Sequence, residues 1–155
     1  MKPIQSLIAL VTMVLAGCAT TQGSASRSTS DAASVEGACA YVAADLREGL
    51  LFGEHLEIAS VRAVHERAGK QLIRREVGAE LFVPSKPGLS ASGISQAAQC
   101  QMARYANDEV MDARDPLAVR GAAVRVKERG EGFVVMISSP DRASAREISE
   151  RSIAL

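Results

Sequence analysis

Tryptophan is absent from this 155-residue chain, and aromatic residues make up only 3% of it. Sites that hold sugars or stack nucleobases lean on aromatic platforms, so both classes lose their usual means of recognition. An excess of one charge is also missing. Lys and Arg number 18 and so do Asp and Glu, which leaves no strong field to attract nucleic acid. Only two histidines occur, and neither opens an HExxH pattern: Leu-Glu-Ile-Ala follows His55 and Glu-Arg-Ala-Gly follows His65. On a single strand in phase they would stand about 30 Å apart, too far to share a metal ion. The carboxylates Asp108, Glu109, Asp112 and Asp115 lack the alternating ligands and tight glycine turn of a calcium loop, and read as a solvated helix end. In Gly88-Leu89-Ser90-Ala91-Ser92-Gly93 the second glycine is at the wrong distance for a GxSxG nucleophile turn, and no phosphate loop follows Gly130-Glu131-Gly132. The sequence therefore predicts no catalytic set, no metal site and no cofactor.

What the chain does contain begins at its start. Lys2 is followed by an apolar run from Ile4 to Leu15, shorter than the roughly 20 residues a membrane-spanning helix needs. The run closes on Leu15-Ala16-Gly17-Cys18. This arrangement resembles the lipobox of a bacterial lipoprotein signal peptide. The resemblance implies that residues 1–17 are removed, that the Cys18 thiol receives a diacylglyceryl group and that the new amine is acylated. Two or more acyl chains anchor stably where one anchors only marginally, so the membrane is an expected partner through Cys18. Ala19, in the place where Asp would imply retention in the inner membrane, implies the outer membrane with the domain facing the periplasm. The inner membrane is the alternative. Residues 18–34 are small and polar with no apolar period and are expected to form a flexible tether.

The remainder, 35–155, is enough for one modest core. Setting Cys18 aside leaves Cys39 and Cys100 in an oxidising compartment, where a disulfide between them is expected. Two buried free thiols, or a metal or redox role, are the alternatives. Val35, Cys39, Val42, Leu46 and Leu50 recur at helical spacing and predict a first helix over about 35–50. Leu56 to His65 alternates with a slip in phase and predicts a bulged strand. Ala68-Gly69-Lys70 is expected to turn, and a second strand covers Gly78 to Val83. Ser90 or Ser92 caps the next helix, whose core face is Ile94, Ala98, Met102 and Tyr105, with Cys100 on its flank and an end near Asn107. Val124 to Lys127 and Phe133 to Ile137 flank a glycine turn and predict a hairpin. Pro140 opens a last helix with Ser139 as its cap and Ala145, Ile148, Ser152 and Leu155 inward. The order α-β-β-α-β-β-α predicts an α+β two-layer sandwich with a small antiparallel sheet of about four strands.

Val134 and Met136 lie opposite Phe133, Val135 and Ile137 on one strand, so both of its faces are apolar. Either helices cover both sides, or one side is an exposed patch for a partner or a lipid surface. The basic run Arg62, Arg67, Lys70, Arg74 and Arg75 reads as a solvated face, with lipid phosphates or an acidic partner as its alternative use.

Val77 to Val83, Pro87-Gly88-Leu89-Ser90 and the stretch from Gly132 resemble conserved blocks of uncharacterised proteobacterial lipoproteins. In that pattern His often follows the helix cysteine, and here Gln101 stands there, which weakens any Cys-His site. The resemblance implies no activity. The function expected is a non-catalytic binding or assembly module at the outer membrane, with an envelope protein as its partner. The alternative is a periplasmic metal- or small-ligand-handling lipoprotein using His55, His65 or the cysteines.

Overall fold

A computed structural model describes residues 30–47, 49–68, 73–107 and 112–155. Cys18 and its lipobox lie outside the described residues, as do Gly69, Lys70, Asp108 and Glu109. In chain order the elements are α1 (Ser30–Cys39), α2 (Ala44–Arg47), β1 (Ser60–Ala68), β2 (Ile73–Pro84), α3 (Ala91–Ala106), a 3₁₀ turn (Pro116–Ala118), β3 (Ala123–Arg129), β4 (Gly132–Ser138) and α4 (Arg142–Ile153). The strands form one antiparallel sheet in the order β1-β2-β4-β3. The expected α+β class, the antiparallel pairing and the two layers are all present. Ala79, Leu81 and Val83 of β2 and Phe133, Val135 and Ile137 of β4 are buried on one face of the sheet. Ile94, Ala97 and Ala98 of α3 join the same core, as does Ile148 of α4.

The first helix departs from expectation. A continuous helix over 35–50 would pair the Val42 carbonyl with the Leu46 amide. Instead Arg47 Nε donates to that carbonyl at 2.7 Å, and the Leu46 amide turns to Ala43 at 3.0 Å. The chain breaks there into α1 and the short α2. Leu51 and Phe52, rather than Leu50, then enter the core. The helix also starts at Ser30, ahead of Val35.

Leu56 is not part of a strand. It bridges back to Phe52, and β1 begins only at Ser60. The expected bulge exists, but its extra residue belongs to the partner strand. Val64 faces Gly78 and His65 faces Glu76, which leaves Val77 unpaired on β2. Gly78 sits there with φ 144°, a conformation side chains rarely adopt, and a Cβ would collide with the Ile137 carbonyl oxygen. β2 itself is longer than the predicted 78–83. At the other end of the sheet Gly130, with φ 59°, supplies the left-handed residue that a tight hairpin between β3 and β4 needs.

Ser90 caps α3 as expected, accepting from the Gly93 amide at 3.1 Å. The helix buries Gln101 more fully than Met102, which is only partly buried, as is Tyr105. At α4 the cap is Asp141 and not Ser139: its carboxylate accepts from the Ser144 amide at 2.8 Å, and the helix begins at Arg142, beyond Pro140. Ser139 instead accepts from the Asp141 amide at 3.2 Å. Leu155 is 42% exposed, so the inner face of α4 is Ala145, Ile148, Ser149 and Ser152. Ser149 donates to the Gly78 carbonyl at 2.8 Å and ties the helix to the bulge.

Cys39 and Cys100 form a disulfide across 61 residues, with Cα atoms 4.7 Å apart. It fastens the end of α1 to the middle of α3. On the chain-entropy model such a closure contributes about 4 kcal/mol. Replacing both cysteines by alanine should lower the unfolding free energy by about that amount, read from urea melts without reductant. An unchanged midpoint would show that the bridge does not restrain the unfolded chain. Gly78→Ala should cost roughly 2 kcal/mol or more through strain and collision with β4, whereas Gly88→Ala should cost less, because nothing lies within 4 Å of its added Cβ. Equal losses in thermal melts would refute a special role for the bulge.

Candidate functional site

Two features of the fold could carry function. The first is the face of the sheet turned away from the core. Among the described residues the helices all lie on the other side: α4 packs on β2 and β1, and α3 on β3. Val134 and Met136 are therefore not covered by helices on both sides. They are half-buried, and with Phe82 of β2 they belong neither to the core nor to the side chains packed against it. This corrects the picture of a central strand sandwiched between helices. Around them stand Arg62 of β1 and Arg125, Lys127 and Arg129 of β3, all exposed. Glu80 lies between two of these cations. Its Oε1 is 2.6 Å from Arg62 Nη2 and 3.6 Å from Arg129 Nη1.

The face runs into a shallow cavity of about 450 Å³ beside the bulge, lined by Val64, Glu66, Arg75, Val77 and Met136 among others. Arg75 Nη2 donates to the Pro140 carbonyl at 2.5 Å, while its buried Nε has no partner. Of the basic run read in the sequence, Arg62 and Arg75 thus meet this face or its cavity. Arg67 and Arg74 pair in register and are exposed.

The second feature is buried. Asp115, a carboxylate expected in solvent, is 2% exposed. Its Oδ1 accepts from the Leu117 amide at 2.8 Å. Its Oδ2 accepts from the Tyr105 hydroxyl at 2.6 Å and from Gln101 Nε2 at 2.9 Å. Gln101 Nε2 also lies 3.2 Å from the Gly49 carbonyl and 2.9 Å from the Tyr105 hydroxyl, and its Oε1 accepts from the Leu51 amide at 3.2 Å. Arg151 of α4 reaches the Asp115 carbonyl at 3.0 Å. Burial raises the Asp115 carboxyl above its ordinary range, opposed by these hydrogen bonds. Burial also raises Tyr105, followed in effect by its hydrogen bond to Asp115. Asp112, by contrast, is exposed to Arg114, whose hydrogen bonds lower it to about 2. Both oxygens of Asp115 are engaged by the protein's own donors, so the arrangement serves as a knot and leaves no free group aimed at a substrate. A cavity of about 390 Å³, lined by Tyr105, Met102 and residues 117–122, lies next to it.

Sequence reading missed this knot. Its signals were a polar Gln101 in phase with Ile94 and Ala98, and an Asp-Pro pair that caps the 3₁₀ turn. The histidines do not come together. His55 lies in the loop before β1 and lines a cavity of about 360 Å³ with Glu57 and Lys86, whereas His65 lies on β1 at the other cavity. Cys39 and Cys100 are bonded to each other. Among the described residues no group of three or more His, Cys, Asp or Glu side chains could hold a metal ion, and no helix is long and apolar enough to cross a membrane. Compared with protein-family profiles, curated proteins and solved structures, the chain matches none.

Because the folded state holds the Tyr105 proton above the ordinary phenol range, its contribution to stability is complete below about pH 10, begins to fall there and is lost as pH rises through the higher folded value. Tyr105→Phe should cost about 1 kcal/mol at neutral pH and should remove this alkaline loss. Urea melts of both proteins from neutral to strongly alkaline pH check it. Parallel pH profiles would show that Tyr105 is not shifted in the folded state by burial and its bond to Asp115.

Proposed function

We propose that this chain is a lipid-anchored lipoprotein of the bacterial envelope, and that its domain is a non-catalytic binding or assembly module at the outer membrane. The observation that carries the reading is the uncovered sheet face: a half-buried apolar floor of Phe82, Val134 and Met136 rimmed by cations. An apolar floor rimmed by polar side chains is the pattern of a surface that meets a partner or a membrane. The lipobox sequence ending at Cys18 supports the anchor, and the Cys39–Cys100 bridge suits an oxidising periplasm. The separate placement of the histidines and the mutual bonding of the cysteines give the metal-handling alternative no observation in its favour.

The anchor is tested by fractionation of the full chain. The native protein should stay with membranes through a wash at about 0.5 M salt, which screens surface electrostatics, and leave them only in detergent. Cys18→Ala should be released by the same wash while keeping its disulfide. A washed membrane pellet that retains the variant would overturn the anchor.

A further inference from the structure

We propose that the uncovered face of the sheet docks on the surface of an anionic phospholipid bilayer. The proposal deepens the function above and rests on the same surface, with the Cys18 anchor supplying proximity.

Arg62 stands on one edge strand, β1, and Arg125, Lys127 and Arg129 stand on the other, β3. The side chains of Arg62 and Arg129 reach inward and converge on Glu80, whose carboxylate already fills the place a single small anion would take. Among the described residues no carboxylate pairs with Arg125 or Lys127, which stand apart from that point on β3. A plane of phosphates can meet these two and the exposed flanks of the two guanidinium groups together. Glu80 does not cancel them: one carboxylate is shared between Arg62 and Arg129, and the two guanidinium side chains remain 64% and 67% exposed. The apolar side chains lie lower. Phe82, Val134 and Met136 are half-buried, while the four cations on the edge strands are exposed. The cationic heads can therefore enter the headgroup layer, with their aliphatic stems flanking the apolar floor.

Two copies of the chain packed face to face would bring these cations together, which disfavours a second copy as the occupant. An acidic polypeptide presents charge along a line, and a strand-like segment would leave one edge of the face unmatched. Residues 19–29 span at most about 40 Å when extended, which keeps the domain close to the membrane that would hold Cys18.

The chain offers its own probe. Its lysines are Lys2, Lys70, Lys86 and Lys127. Lys127 stands on the proposed face, whereas Lys86 pairs with Glu57 at 3.2 Å away from it and is 52% exposed. The lipidated full-length protein is reconstituted into discs of phosphatidylcholine alone, or with phosphatidylglycerol added. Amine acylation at Lys127 and Lys86 is then timed by mass spectrometry. Lys127 should react about fivefold more slowly in the anionic discs, Lys86 should not change, and about 0.5 M salt should restore Lys127. Equal Lys127 rates in both lipids would overturn the proposal. So would protection by soluble polyglutamate with none by anionic lipid, which would assign the face to an acidic polypeptide. Failure of the anchor has a different signature, because the protein would then not associate with the neutral discs at all.

Discussion

A sheet of four strands has two faces, and among the described residues helices cover one. α3 and α4 take the side that carries Leu81, Val83, Val135 and Ile137, and α1 joins that layer through α3. Everything else follows from this allocation. The covered face holds nearly all of the core. The other face must live with water while carrying Phe82, Val134 and Met136, and it does so beneath a rim of Arg and Lys side chains. Charged side chains on the edge strand β3 also discourage pairing with another sheet edge.

The helical layer is held by two different devices. The disulfide joins α1 to α3 covalently and acts mainly on the unfolded chain. The Asp115 knot acts on the folded state alone: its carboxylate joins α3 to the 3₁₀ turn, the Gln101 side chain joins α3 to the 49–51 loop, and the Asp115 main-chain carbonyl accepts from Arg151 of α4. A buried carboxylate costs desolvation, and its raised proton affinity is the sign of that cost. What the knot provides is position: Gln101 ties the loop after α2 to α3 through the Gly49 carbonyl and the Leu51 amide. The bulge at Val77 plays a similar part in the sheet. Ser149 holds the Gly78 carbonyl, the Ser139 amide donates to the Val77 carbonyl at 3.0 Å, and together they seat α4 against β2.

Much of this was legible in the residues, and the failures share one cause. The hairpin of β3 and β4 was legible because alternation and a glycine turn are local signals. The Ser90 cap was legible for the same reason. The split of the first helix was not, because it depends on Arg47 reaching back to a carbonyl that the periodic pattern assigns to the helix. The cap of α4 went to Asp141 because the helix starts two residues later than Pro140 suggests. Asp115 was assigned to solvent because its neighbours in sequence are charged, whereas its partners Gln101 and Tyr105 lie on α3. Of the candidate site, the second apolar face of β4 and the basic residues of β1 and β2 were visible separately. That they belong to one surface was not.

The sequence by itself determined the class of fold and the alternation that gives β4 two apolar faces. These depend on periodicity and turn residues, which act over short stretches of chain, whereas the Cys39–Cys100 bridge was one expectation among alternatives until the fold brought α1 against α3. Only the tertiary structure decided which face of the sheet the helices would occupy, which carboxylate would be buried, and that Arg62 and Arg129 would meet at Glu80. Those outcomes depend on contacts between residues far apart in sequence, and such contacts exist only once the chain has closed on itself.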